Sequence, residues 1–472
     1  MTNMNPVDTE AEHQFSKAKQ LLTDILQSEK IVKELEEEEA NPDPRLVYGK
    51  APTLWLLIVQ RLLGGISLNE AVKCLLEEHM DLLPQGNRRV EEGTLSTNSS
   101  AYSKARQSID LEVVKRFCNI VCNFLAHRAG PAFLGQRVFI LDGTTITLPP
   151  TKELKEKFPP AQNQLGESVW PVAMLLVAHE LTTGCAMVPQ INAMYGPENS
   201  SEAKQATVAI ASLPSASIVL ADSGFGIFQV VWNCKKYRKN FLFRLTKQRF
   251  KMLQKQANLV EEDEGYRTYH LTWTPSDYER RTNPELPTDA SVEVFMHQIT
   301  LPNGEELLLV TDLQVDALSA GQLYQRRYDV EFDIRDLKVT MDTEHIHAKS
   351  YQTVMKELYG SIIAFNIVTQ FRRQAAKLIN IAPRKLSFTG VWLVFQYELL
   401  RPKFDSYQAS QMAYQRALIN ASRELLPQRK GQRNYPRVAH PRRAKSTKFQ
   451  KEQAKQKANE KKEQPPIPPP PS

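Results

Sequence analysis

Val138-Phe139-Ile140-Leu141-Asp142 sets four apolar, strand-favouring residues ahead of one carboxylate, and Ile218-Val219-Leu220-Ala221-Asp222 repeats the arrangement 80 residues later. A short apolar run of this kind reads as a strand buried on both faces. A third element lies 109 residues after Asp222, where Tyr324, Arg327, Glu331 and Lys338 stand at offsets of 0, +3, +7 and +14. At about 100° per residue these fall within roughly 60° of one another on a helix. Taken alone, such a stripe is most simply a solvated helix face with an Arg327–Glu331 ion pair, and a strand-end Asp is commonly a turn or helix cap. The conjunction points elsewhere. An Asp at the end of each of two buried strands, with a Glu on a later helix, is the layout of a two-metal phosphoryl-transfer site.

The spacing around Glu331 has a chance frequency of only about a few per thousand in a chain this long, taking each residue type at roughly one in twenty. Leu141-Asp142-Gly143-Thr144-Thr145-Ile146-Thr147-Leu148-Pro149 resembles the first-Asp region of bacterial insertion-sequence transposases. Asp222-Ser223-Gly224-Phe225 resembles their second-Asp region, differing at Ser223, where relatives often carry Arg. Tyr324, Arg327, Glu331 and Lys338 match the third region, the YREK signature. The group is the DDE transposases of the insertion sequence four type. The resemblance spans roughly residues 98 to 375 and takes in Ser103-Lys104-Ala105-Arg106-Gln107 and Lys356-Glu357-Leu358-Tyr359-Gly360.

That resemblance implies an α/β fold: an RNase H-like catalytic core with a β-rich insertion, flanked by N- and C-terminal helical regions. It implies Asp142, Asp222 and Glu331 as catalytic ligands of two Mg²⁺ ions, Mn²⁺ being able to substitute, with Asp142 as the bridging ligand. Carboxylates suit Mg²⁺, which prefers hard oxygens and keeps several waters. Arg327 is suited to a bidentate phosphate clamp and Lys338 to a point-charge contact, while Tyr324 can donate to a phosphate or stack. In relatives these three hold the transposon end near a flipped base, which needs an aromatic pocket. Trp273 is a stacking residue for that base or, more simply, a sheet or core tryptophan. The implied activity is cut-and-paste transposition through a hairpin on the transposon end. The implied partners are double-stranded DNA, as terminal inverted repeats and target, and a second copy of the chain in a synaptic dimer. Two other readings stay open: an RNase H-fold nuclease without strand transfer, and a decayed relative that binds DNA without cutting.

Composition bounds the rest. A chain of 472 residues with 42% hydrophobic residues can bury a large core and exceeds one average domain. No apolar stretch approaches a membrane span, and the acidic, polar N-terminus carries no secretory pattern, so a cytoplasmic, nucleoid-associated protein without membrane contact is expected. The five cysteines lack Cys-x-x-Cys spacing. Cys118 and Cys122 sit one helical turn apart among apolar residues and read as core thiols rather than a metal pair. The net charge of +7 is a tail property: residues 429–463 hold thirteen Lys/Arg against three Glu, and the rest of the chain is slightly acidic. With its Pro-rich end, that tail reads as a disordered arm adding salt-sensitive DNA affinity, or as a solubilising segment.

Periodicity gives the organisation. Residues 1–130 form a helical domain with helices over 10–39, 53–80 and 99–127, which in the family binds the terminal repeats. Scattered basic residues there include Arg88, Arg89, Lys104, Arg106, Lys115 and Arg116. The catalytic core occupies 131–245 and 311–380, beginning with a strand hairpin over 136–148. Its second part carries one signature helix over 318–341 and a long amphipathic helix over 350–379. A β-rich insertion fills 246–310, further helices fill 381–428, and the tail covers 429–472. His345-x-His347 reads as two surface histidines rather than a metal pair, His179 as a core histidine, and Gly224-x-Gly226 as a turn without the third glycine of a dinucleotide site.

Overall fold

A computed structural model of the chain describes residues 16–34, 46–84, 86–163, 166–197, 201–404 and 406–427. The basic tail, the acidic run Glu36–Glu39 and both ends of the helix expected over 10–39 lie outside them. The described residues up to Leu426 fall within one compact unit.

A single mixed sheet organises it. Its strands are β1 (Arg137–Thr147), β2 (Pro160–Asn163), β3 (Gly166–Glu180), β4 (Gln190–Ala193), β5 (Ser217–Ala221), β6 (Asn240–Arg244), β7 (Asn258–Asp263), β8 (Tyr266–Trp273), β9 (Val292–Thr300) and β10 (Glu306–Thr311). The order is β2-β3-β1-β5-β6-β10-β9-β8-β7, with β4 also on β3. Among the described residues only β1–β5 and β5–β6 are parallel pairs; the other pairs are antiparallel. Residues 136–148 are therefore one long strand and not the expected hairpin. The β-branched run Thr144-Thr145-Ile146 keeps the chain extended, and the returning partner is β3, in register from Phe139↔Glu180 to Thr147↔Val172. The insertion strands β7 to β10 extend the same sheet through the β10–β6 pair, and the insertion also carries helices Lys247–Gln254 and Asp277–Thr282.

Alternation along β1 explains its apolar run. Val138 and Ile140 join Ile218, Leu220 and Leu242 in a core on one face, while Phe139 and Leu141 join Val219, Ala221, Phe241 and Phe243 on the other. Both faces are covered, so no position before the Asp can be polar.

The covering helices, in chain order, are α1 (Lys17–Leu26), α2 (Lys50–Leu62), α3 (Leu68–Glu78), α4 (Ser100–Ser108), α5 (Leu111–Arg128), α6 (Glu202–Ser212), α7 (Phe228–Lys236), α8 (Ala317–Gln325), α9 (Asp329–Arg335), α10 (Tyr351–Leu378), α11 (Phe388–Phe395) and α12 (Tyr407–Ser422). Each of the three N-terminal helices expected from periodicity is broken. Gln27 in left-handed backbone ends α1; Gly64 and Gly65, at φ of 79° and 75°, separate α2 from α3; and Asp110 caps α5 through Glu112 N. Apolar periodicity runs through such breaks because both halves bury the same side. The 28-residue α10 is buried nearly all round and packs against α1, α2, α5, α11 and α12. No described helix is long and apolar enough to cross a membrane.

The signature segment is not one helix either. α8 gives way to a 3₁₀ turn at Arg326–Tyr328, then α9, then a π turn at Asp336–Thr340. Each change of pitch rotates the residues beyond it, so the four-residue stripe expected from a uniform helix does not survive intact.

Candidate active site

The parallel register Ile140↔Leu220 puts Asp142 and Asp222 each two residues beyond the same pair, side by side across neighbouring strands. Asp142 continues the face of Val138 and Ile140, and its Oδ1 accepts from Gly143 N at 2.9 Å. Asp222 begins the turn after β5, and its Oδ1 accepts from Gly224 N at 2.8 Å. The 3₁₀ turn then brings Arg327 across both sheet and helix. Its Nη1 lies 3.6 Å from Asp142 Oδ2 and its Nη2 3.1 Å from Glu331 Oε1. Its guanidinium also lies over the Tyr328 ring, 4.7 Å from the centroid. The structure thus brings together Asp142, Asp222, Arg327 and Glu331. Arg327, read as suited to a bidentate phosphate clamp, is engaged with the carboxylates, its pairing with Glu331 matching the simpler helix-face reading.

The other expected side chains have different surroundings from those expected. Tyr324 is 2% exposed and packs in the core cluster of Val138 and Ile140, so it is a buried support and not an open phosphate donor. Burial raises its phenol pKa strongly. Lys338, on the π turn, lies 4.0 Å from Glu344 and lines a cavity of about 520 Å³ with Thr145, Thr147, Trp170, His345 and His347. Trp273 is buried in the insertion core, edge to face with Phe228 at 6.0 Å. It takes the core role; the exposed tryptophan beside Lys338 is Trp170. Arg106, one of the scattered basic residues before β1, does not lie on the surface. It is buried and pairs with Glu357, which in turn meets Arg61 at 2.8 Å.

Sequence reasoning missed a fourth acid. Glu202, at the start of α6, lies against the glycines that come after the two aspartates: a Cβ on Gly143 would stand 2.5 Å from its Oε1, and one on Gly224 3.9 Å from its Oε2. A first-turn Glu after Ser201 looks like ordinary helix-end chemistry. The available signal was a glycine next to, or two residues after, each Asp.

Burial raises the Asp142 pKa, with Asp222 and Glu331 adding to the rise and the Gly143 N–H and Arg327 opposing it. Burial also raises Glu202, with Asp222 and Asp142 adding. Four carboxylates facing one guanidinium are a set of hard oxygens short of positive charge, which fits a divalent cation. A different ligand-like group, Cys74, Glu78 and His79 at the end of α3, has a cation of its own: Lys17 Nζ lies 3.6 Å from Glu78 and donates to Leu400 O. Cys118 and Cys122 are free buried thiols 3.8 Å apart, and His179 is buried, its Nδ1 3.1 Å from Gly184 O.

Residues 134–367, about half of the chain, match the family model of the transposase DDE domain. Transposase InsG for insertion sequence element IS4 of Escherichia coli (strain K12) is 24% identical over 327 residues, covering 66% of this chain and 68% of that protein. The cryo-EM structure of the piggyBac transposase synaptic complex with hairpin DNA superposes with a TM-score of 0.41 at 9% identity, over 89% of this chain and 87% of that one.

Proposed function

We propose that this chain, whose residues 134–367 match the family model of the transposase DDE domain, is a DNA transposase that excises an insertion sequence and joins its 3′-ends to target DNA. The observation that carries the reading is the convergence of Asp142 and Asp222 on neighbouring parallel strands with Glu331, tied to Asp142 through Arg327. The order β4-β3-β1-β5-β6, with an antiparallel side and two parallel crossings, supports an RNase H-like core.

Asp142, Asp222 and Glu331 would hold two Mg²⁺ ions, which when bound activate the attacking water or 3′-hydroxyl and stabilise the leaving oxygen. The chain's own groups do the rest. Arg327 fixes the helix-borne carboxylate against the strand-borne one and offsets their repulsion. Buried Tyr324 supports the segment carrying Arg327. Lys338 and Trp170, at an open cavity, suit a phosphate and an unstacked base respectively. The helical region before β1 would contact the terminal repeats, and a second copy would complete a synaptic dimer. A protein acting on chromosomal DNA belongs in the bacterial cytoplasm.

The test is a strand-transfer assay on linear DNA bearing the element's own ends. Hairpin-ended release and then joining to target supports the full reading. Cutting indifferent to end sequence, with no joining, favours a nuclease; specific end binding with no cutting favours a decayed DNA-binding relative.

A further inference from the structure

Glu202 occupies the first turn of α6, after the N-cap Ser201, whose side chain accepts from Lys204 N. An acid at this position gains from the helix dipole while pointing to solvent. Here its carboxylate lies instead over the sheet, between Gly143 and the turn at Gly224. Neither glycine adopts left-handed backbone, so backbone conformation does not require glycine at either place. What glycine supplies there is room. Any side chain at 143 would strike Glu202, and one at 224 would crowd the Asp222 carboxylate at 3.1 Å. Two positions flanking the two aspartates are thus cleared, and a third carboxylate enters the space. Among the described residues no Lys, Arg or His forms an ion pair with Glu202. Like charges brought this close repel unless a cation lies between them.

We propose that Glu202 is a fourth carboxylate ligand of the cation site formed by Asp142, Asp222 and Glu331. The proposal rests on the reading of those three acids as a metal centre. Glu202 comes from the first turn of α6 and Glu331 from α9, so the two helix-borne carboxylates reach the strand-borne pair from separate elements. Glu202 can bind a metal directly or hold one of its waters, and either role makes cation affinity depend on it.

The experiment is a titration of the full chain with Mn²⁺, read by electron paramagnetic resonance without DNA. It uses wild type, Glu202→Gln, Gly143→Ala and Asp142→Asn, each first checked for an intact thermal transition. Glu202→Gln removes the charge; Gly143→Ala leaves the glutamate in place but displaces its carboxylate. Both are expected to weaken Mn²⁺ binding by at least about tenfold, with Asp142→Asn weakening it further. Wild-type affinity in both Glu202→Gln and Gly143→Ala, with loss in Asp142→Asn, would overturn the assignment and leave Glu202 a helix-end acid. Absence of Mn²⁺ binding in wild type would overturn the cation site itself, a separate failure.

Discussion

Arg327 joins Asp142 of β1 to Glu331 of α9, reaching one carboxylate at 3.6 Å and the other at 3.1 Å from two nitrogens of one guanidinium. A strand and a helix far apart in sequence are set against each other by a planar fork. Lysine presents a single point charge and cannot span both. Arg327→Lys is therefore expected to retain the fold and to lower end cleavage by about 10²-fold, and Arg327→Ala by more. Single-turnover cleavage at saturating cation measures this. Wild-type rates in Arg327→Lys would leave the bridge without function.

The raised carboxyls make stability depend on pH. Asp142 and Glu202 are raised first by burial and then by neighbouring acids. A carboxyl with a folded pKa above its unfolded value, about 4, binds its proton more tightly when folded. Its contribution to stability falls as pH climbs from the unfolded to the folded pKa and stays lowered above it. Asp142→Asn or Glu202→Gln removes that penalty. In EDTA each is expected to melt about 1–2 °C above wild type at pH 7 and to lose the advantage at about pH 4. A lower melting temperature at pH 7 would contradict the electrostatic picture.

Glu357 pairs with both Arg61 and Arg106, and all three are nearly buried. Removing the shared carboxylate leaves two guanidinium groups without a counter-charge between α2, α4 and α10. Glu357→Ala is expected to cost about 3–5 kcal/mol, seen as a large drop in thermal midpoint. Arg106→Ala should destabilise as well; an unchanged midpoint would contradict a structural role for the Arg106–Glu357 pair.

The two tryptophans should separate cleanly. Trp273→Ala empties a packed site against Phe228 and is expected to cost about 3–5 kcal/mol. Trp170, half exposed beside Lys338, should change stability by less than about 0.5 kcal/mol when truncated. Its loss should weaken binding to a DNA end with an unpaired base, by about 1–3 kcal/mol if one base stacks there. Fluorescence anisotropy with paired and unpaired ends reads this out, and equal binding by Trp170→Ala would remove it from the interface.

Much of the centre was legible because strand burial leaves so little freedom. Val138 to Leu141 and Ile218 to Ala221 must be apolar, so the carboxylate that ends each run stands out. Glu331 was legible through its spacing from Arg327, a local relation that the 3₁₀ turn leaves intact. The spacing to Lys338 runs into the π turn Asp336–Thr340, where a uniform 100° step fails, so its pairing with Glu344 was not readable. Trp273 and Trp170 look alike in sequence; only sheet pairing decides which is covered. Glu202 was hidden because a first-turn acid after a serine has a sufficient local explanation, and its meeting with Asp142 and Asp222 depends on how α6 crosses the sheet.

The most direct measurement is cleavage of DNA carrying the element's own ends, in Mg²⁺ or EDTA, by wild type, Asp142→Asn, Asp222→Asn and Glu331→Gln. Mg²⁺-dependent release by wild type, with each variant folded, bound to DNA and slowed by at least about 10³-fold, is the result expected of carboxylates that hold the reacting cations. Cleavage that persists in EDTA, or in any one of the three variants, would contradict it.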